Sequence, residues 1–204
     1  MSAGLTLLII RHAEKPDGRV PSVTGPGLTH KGKEDPESLV IKGWERAGAW
    51  TSLFGAGLGG SDYPQPQAVY AADPDGVAGV SRPSQRPYET ALSLARRVGL
   101  TAPDFSFAKG QEQALVAALL DLSGVALVSW EHKAIINDIL PKLPVSNPGD
   151  LPTHWSGKRF DVVLRFDRAA GASQFLFTEL FPCLMPGDKT TPLKDDPTDE
   201  SEES

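Results

Sequence analysis

Two histidines follow short apolar stretches of the sequence, and each stands beside a charged residue. Arg11 and His12 come after an apolar run near the start of the chain, and Glu131 and His132 come after another. A short, continuous apolar run favours a strand that is covered on both faces of a parallel sheet. Since ligands bind at the carboxyl ends of such strands, we expect both histidines at one functional edge.

Arg86 adds a second arginine to this edge, in the first turn of a predicted helix. The free N–H groups and the dipole of a helix start favour an anion. An arginine fork binds phosphate oxygens in pairs, and histidine serves as nucleophile, acid or base near neutrality. Two histidines, two arginines and a helix start therefore predict a site for a dianionic tetrahedral group, although Arg11-His12 alone also fits a solvated strand end.

The elements that must position these residues alternate between strands and helices. This alternation predicts an α/β fold with a covered, largely parallel sheet, with two late strands added at its edge. The predicted strands are 5–10, 67–72, 124–130, 160–166 and 174–177, and the predicted helices are 38–55, 85–98, 111–121 and a segment after His132 that Pro141 closes.

The proline-rich segment 13–40 predicts a long loop directly after His12. Loops of this length inside a compact domain are often lids or binding loops. A literal G-x-G-x-x-G at 55–60 has the wrong context for a dinucleotide site, because it follows a helix and opens none.

Composition predicts one globular domain, residues 1–185. The chain has 204 residues, 40% of them hydrophobic and 23% charged, and no apolar run of the roughly 20 residues that a membrane span needs. We expect no secretory signal and a cytoplasmic protein. The single cysteine, Cys183, excludes an internal disulfide and a cysteine-built metal site.

The acidic charge is concentrated at residues 186–204, which hold seven Asp or Glu and two lysines of a chain whose net charge is −6. Low apolar content predicts that this tail is disordered and solubilising, with an interaction role as the lesser alternative. The rest of the chain is close to neutral, so no basic surface for nucleic acid is expected.

Four motifs in this order resemble the histidine phosphatase superfamily, which includes phosphoglycerate mutases and histidine acid phosphatases. They are Arg11–Pro16, Gly43–Ala47, Arg86–Ala91 and His132 after its apolar strand. The Arg-His-Ala-Glu-Lys-Pro signature is similar to that of small, bacterial-like members. The resemblance covers about residues 5–140 and implies a three-layer α/β/α fold with a central, mostly parallel mixed sheet.

The resemblance also implies the roles of the site residues. His12 is the implied nucleophile, which would form a phosphohistidine. Arg11 and Arg86 would hold the phosphoryl oxygens, and His132 would complete the pocket and stabilise charge. Phosphoryl transfer needs an in-line nucleophile and positive charge around the transferred oxygens, so no metal or other cofactor is implied.

The general acid that protonates the leaving oxygen stays open between two glutamates. Glu112 lies where many members of the superfamily place a glutamate, and Glu131 reaches the site only if the backbone turns there. Glu14 ranks behind them, and each of the three also fits a structural ion pair. Glu14 and Lys15 are further candidates for substrate contact.

The expected function is a metal-independent phosphatase that hydrolyses a phosphorylated small molecule through phospho-His12. Ala13 stands where the mutase branch has glycine, and Lys133 stands where the acid phosphatase branch has aspartate. The substrate range of neither branch therefore transfers. A phosphomutase and a non-catalytic phospholigand-binding or scaffold protein are the alternatives, and substrate and oligomeric state stay open.

Overall fold

The computed structural model describes residues 3–19, 21–57 and 59–196 as an α/β fold built on one five-stranded mixed sheet. Its strands are β1 (Leu5–Arg11), β2 (Ala68–Ala71), β3 (Gly124–Trp130), β4 (Val163–Arg168) and β5 (Leu176–Leu180). Its helices are α1 (Ile41–Gly55), α2 (Arg86–Arg97), α3 (Glu112–Leu120) and α4 (His132–Ala134), which continues as a π turn, Ile135–Ile139, and a 3₁₀ turn, Leu140–Lys142. Among the described residues, no helix is both long and apolar enough to span a membrane.

The sheet has the order β2-β3-β1-β4-β5. β1 and β2 both pair parallel with β3, whereas β4 pairs antiparallel with β1 and with β5. The predicted α/β class and mixed sheet are confirmed, but the predicted predominance of parallel pairing is wrong. β4 lies inside the sheet, between β1 and β5, and not at its edge. Its apolar residues Val163, Leu164 and Phe166 are fully buried in the cores on the two faces of the sheet, which suits an interior strand.

β1 is buried on both faces, as its apolar run predicts. Successive side chains of a strand point to opposite faces, and Leu7 and Ile9 belong to one core while Leu8 and Ile10 belong to the other. The core around Leu8 includes side chains of α1 and α2, and the core around Leu7 includes side chains of α3 and of the segment after His132. Two cores thus hold the carboxyl end of β1 in place.

α1 begins at Ile41, two to three residues later than its periodicity predicts. The carboxylate of Glu89 on α2 accepts hydrogen bonds from the hydroxyl of Ser38 and from the N–H of Leu39, each at 2.9 Å. Ser38 and Leu39 are therefore hydrogen-bonded to α2 and lie before the first residue of α1. The contact fixes the end of the long segment 13–40 beside the start of α2.

The C-terminal segment contradicts the prediction of disorder from residue 186. Asp188 forms an ion pair with Arg46 at 2.9 Å, Asp196 forms one with Arg159 at 2.8 Å, and Leu193 is fully buried in a core. The acidic residues serve as counter-charges for buried arginines that lie far away in the sequence, which composition does not show. Residues 186–196 thus belong to the folded domain, and the rest of the predicted tail, 197–204, lies outside the described residues.

Candidate active site

His12 lies at the carboxyl end of β1, where two elements fix its backbone. Its N–H donates to the carbonyl of Trp130 at 2.9 Å and extends the ladder between β1 and β3. The next N–H, of Ala13, donates to the hydroxyl of Thr90 on α2 at 2.9 Å. β3 and α2 therefore hold the turn that carries the histidine.

The imidazole of His12 has one nitrogen engaged. Its Nδ1 lies 2.8 Å from the carbonyl oxygen of Ala13. A carbonyl only accepts, so Nδ1 carries the proton in this contact and Nε2 keeps its lone pair in the neutral ring. The residue is 3% exposed. The structure thus favours the tautomer in which Nδ1 carries the proton and Nε2 carries the lone pair.

Positive charges converge on His12. Burial lowers the pKa of its imidazole well below the ordinary value of 6.5, and the charges of Arg11, Arg86 and His132 lower it further. The hydrogen bond to Ala13 acts in the opposite sense and is outweighed. His12 is therefore neutral at pH 7, and three of the residues that the sequence assigns to the site act on it electrostatically.

A cavity of about 470 Å³ opens at His12. Its volume lies in the range of small-molecule sites. Arg86 and Glu131 also line it, which brings three candidate residues onto one surface. The other charged residues of the wall are Glu37, Asp73, Arg82 and Lys109.

Arg86 joins this cavity to the long loop. Its Nη2 donates to the carbonyl of Pro36 at 2.7 Å and to the carboxylate of Glu37 at 3.1 Å. Its Nε is buried and has no hydrogen-bond partner among the described residues. An arginine that lines the cavity thus retains a donor, and its position depends on residues at the end of the segment 13–40.

Arg11 is fully buried next to His12 and does not belong to the described lining of the cavity. Its Nη1 donates to the carbonyls of Ser156 and Arg159, both at 2.9 Å, and its guanidinium carbon lies 4.0 Å from the centre of the Phe160 ring. The ring of His12 lies 6.3 Å from the same ring. Arg11 therefore acts on His12 through its positive charge, and Phe160 contacts both residues.

Glu131 and His132 form a close pair at the start of α4. The Glu131 carboxylate caps this helix by accepting from the N–H groups of Lys133 and Ala134, at 3.1 and 3.0 Å. It also lies 2.8 Å from Nδ1 of His132 and 3.2 Å from the amine of Lys109. The backbone turns at this point, so Glu131 reaches the cavity of His12.

The pKa of Glu131 is held far below its usual range. Burial alone would raise this pKa, but the contact with His132, the charge of Lys109 and the N–H of Lys133 outweigh it. Glu131 is thus ionised at neutral pH. It lines the cavity as a carboxylate and not as a carboxylic acid.

Glu112 anchors the fold and does not line the cavity of His12. Its carboxylate accepts from the N–H of Gly110 at 2.9 Å and from the indole N–H of Trp130 at 2.9 Å. Trp130 is the residue that receives the backbone hydrogen bond of His12. Glu112 therefore supports the site through β3.

Glu14 and Lys15 line a neighbouring cavity of about 570 Å³ and not the cavity of His12. The two oxygens of Glu14 accept from Nε of Arg46, at 2.9 and 3.0 Å. Glu14 is thus engaged in a buried ion pair. The structure separates the two predicted substrate contacts from the predicted nucleophile.

Sequence reasoning missed two positioning residues and one ring. Glu89 and Thr90 stand within the motif 86–91, where their polar types on a buried helix face were the available signal. Phe160 contacts both Arg11 and His12, and no sequence pattern points to it.

Comparisons of the chain with protein-family models, with curated proteins and with solved structures find no match, so the function is inferred from the site itself.

Proposed function

We propose that the protein is a phosphatase of the histidine phosphatase type, with a three-layer α/β/α fold, that hydrolyses a small phosphomonoester through a phosphohistidine on His12. The observation that carries the proposal is the state of the imidazole. Its Nδ1 is held by the carbonyl of Ala13 at 2.8 Å, and its pKa is lowered by burial and by the surrounding positive charges. A buried, neutral histidine with Nε2 available is a nucleophile at pH 7.

The reaction then has two steps. Nε2 of His12 attacks the phosphorus atom, the bond from phosphorus to the ester oxygen breaks, and the leaving oxygen takes a proton. Water next attacks the phosphohistidine, the P–N bond breaks, and inorganic phosphate leaves. Arg86 lines the cavity and offers donors to the phosphoryl oxygens, while the buried Arg11 next to His12 adds positive charge.

We assign the leaving-group proton to the pair of Glu131 and His132. Glu131 is ionised and cannot itself donate a proton. Its carboxylate lies 2.8 Å from Nδ1 of His132 and lines the cavity of His12, whereas His132 does not, so Nδ1–H of His132 supplies the proton and Glu131 passes it to the leaving oxygen. Glu112 is assigned a structural role, because its carboxylate is bound to Gly110 and Trp130.

The test is hydrolysis of p-nitrophenyl phosphate in EDTA by wild type and by His12→Asn. Asparagine keeps an N–H for the Ala13 carbonyl and removes Nε2. We expect a loss of kcat of about a thousandfold or more. The matched control is His30→Asn, an exposed histidine of the loop, which should retain the wild-type rate. A wild-type rate in His12→Asn refutes the mechanism.

Trapping of the intermediate separates the alternatives. Wild type quenched during turnover should carry a phosphoryl group on His12 that is stable in base and labile in acid. A trapped phosphohistidine without release of phosphate would favour the phosphomutase. Neither turnover nor a trapped group would favour a protein that only binds phosphorylated ligands.

A further inference from the structure

The neighbouring cavity of about 570 Å³ has the chemistry of a second ligand site. Among the described residues, none lines both this cavity and that of His12. We call it the lysine cavity, after the four lysines in its wall: Lys15, Lys42, Lys158 and Lys189. We propose that it binds a small organic anion, a phosphate ester or a carboxylate with an apolar portion, independently of the chemistry at His12.

The charge of the wall is positive after its internal ion pairs are taken into account. Glu14 and Asp188 both pair with Arg46, and Asp161 pairs with Arg159 at 2.7 Å. Asp17 is the remaining acidic residue of the described wall, and it accepts from the hydroxyl and N–H groups of its own loop. Among the acidic residues of the described wall, Asp17 is the one that pairs with no arginine of the wall, whereas the wall holds four lysines.

Two of these lysines are available to a ligand. Lys42 and Lys189 are exposed, and within the described part of the chain their amines make neither a hydrogen bond nor an ion pair. A phosphate or carboxylate in the cavity would gain charge-assisted hydrogen bonds from such amines.

Arg159 gives a second, independent indication of a ligand. It is 3% exposed, and its Nε and Nη1 are bound to Asp161, Thr191 and Asp196. Its Nη2 is buried and has no hydrogen-bond partner among the described residues. A buried donor without an acceptor is costly, and Arg159 is itself one of the residues that line the cavity, so its charge and its unused hydrogen-bonding capacity favour an anion there.

The start of α1 adds to the attraction for an anion. Val40, the N-cap of this 15-residue helix, lines the cavity together with Lys42 of its first turn. The helix has no acidic residue in its first turn and no side-chain cap. The positive end of its dipole is therefore uncompensated by the protein where it meets the cavity.

Apolar residues complete the wall and specify the rest of the ligand. Pro16, Val40 and Phe160 line the cavity, and Val23 in the same wall is 77% exposed. An exposed valine beside an aromatic ring and lysines fits an anion that carries an apolar group better than it fits a bare inorganic ion.

The experiment is calorimetric titration of the full chain with phenylphosphonate, a non-hydrolysable anion with a ring, at constant ionic strength. Wild type should bind two equivalents. Arg86→Ala should lose the site at His12 and keep the other, whereas the double variant Lys42→Glu/Lys189→Glu should keep the site at His12 and bind about tenfold or more weakly at the lysine cavity. The matched control, Lys31→Glu/Lys142→Glu, makes the same charge change at exposed lysines outside both cavities.

The proposal would be overturned if wild type bound one equivalent of phenylphosphonate, and if Arg86→Ala abolished this binding while the lysine double variant left it intact. Equal weakening in the control variant would overturn it as well. One equivalent that only the double variant abolishes would support the lysine cavity and count against a site at His12, so the two proposals fail separately. Titration with benzoate shows whether the site takes a carboxylate or requires the phosphonate. Unchanged unfolding midpoints confirm that each variant is folded.

Discussion

Replacement of Arg46 by methionine should strongly destabilise the protein. The side chain of Arg46 is 3% exposed and lies between two carboxylates, Glu14 and Asp188, whose side chains are 10% and 4% exposed. Its Nε donates to Glu14 at 2.9 and 3.0 Å, and its Nη1 and Nη2 donate to Asp188 at 3.2 and 2.9 Å. Methionine keeps the apolar volume but leaves two buried carboxylates without a cation.

Removal of one partner from a buried ion pair costs about 3–5 kcal/mol, because the remaining charge stays desolvated. That is a large part of the about 5–15 kcal/mol by which domains are stable. For a chain of this size it corresponds to a fall in Tm of about 10 °C. The matched control is Arg19→Met, because Arg19 is 71% exposed and lies 3.5 Å from Asp17, so its loss should cost less than about 1 kcal/mol.

Urea unfolding followed by tryptophan fluorescence measures both changes, and repetition at low pH tests the electrostatic cause. Burial alone would raise the pKa of Asp188, but the hydrogen bonds from Arg46 and from the N–H of Met185 outweigh it and lower this pKa. A lowered folded-state pKa adds stability above the ordinary value of 3.8, and this stability is lost as the pH falls through the folded value. The difference between wild type and Arg46→Met should therefore be full at pH 7 and shrink below about pH 4. A loss no larger than that of Arg19→Met, or one that is the same at pH 7 and pH 3, would refute the reasoning.

Three further predictions concern the elements around His12. Gly43→Ala should lower the unfolding free energy by about 1–3 kcal/mol, because the new Cβ would meet the backbone of the turn after β1. In the same helix, the new Cβ of Gly48→Ala would meet open space, so this variant should raise the unfolding free energy by about 0.5–1 kcal/mol. Urea unfolding compares the two variants. Thr90→Val should lower the unfolding free energy by about 1–3 kcal/mol and lower kcat for an aryl phosphate, because the buried N–H of Ala13 loses its acceptor. The control Thr51→Val, at a half-buried position of α1, should change kcat little. The lowered pKa of His12 means that neutral His12 stabilises the fold above pH 6.5, so the unfolding free energy should fall as the pH drops below 6.5. This dependence should be reduced in His12→Asn, and equal dependence in both proteins would contradict it.

Much of the fold follows from local sequence patterns. β3 has the predicted bounds, and α2 differs from its prediction by one residue at each end, because apolar periodicity and clear end signals act within each element. The segment after His132 was harder to predict. Its apolar residues fit a regular helix, but the chain forms a π turn at Ile135–Ile139 and continues through Pro141. The pairing direction of a strand and its place in the sheet depend on strands that are distant in the sequence. The local pattern of β4 therefore predicts an edge position, which is wrong.

The site could be predicted as a set of residues but not as a geometry. His12, Arg86 and Glu131 meet at one cavity because each stands at the end or start of a predictable element. Glu14 and Lys15 follow His12 closely in the sequence, yet they line the other cavity. The turn after β1 meets the start of α1 there, because the carbonyl of Glu14 accepts from the N–H of Val40 at 3.2 Å. Sequence proximity thus does not decide which side of a turn a side chain serves.

The acidic C-terminal segment shows how charge becomes structural when its partner is distant in the sequence. Asp188 and Asp196 neutralise Arg46 and Arg159, two buried arginines that would be prohibitively costly without counter-charges. Arg159 in turn offers its backbone carbonyl to Arg11, the chain neighbour of the candidate nucleophile. The arrangement of charge around His12 therefore depends on residues near the other end of the chain, which no motif around the histidine contains. Removal of Asp188 or Asp196 should therefore alter the site through Arg46 or Arg159, although neither carboxylate lines the cavity of His12.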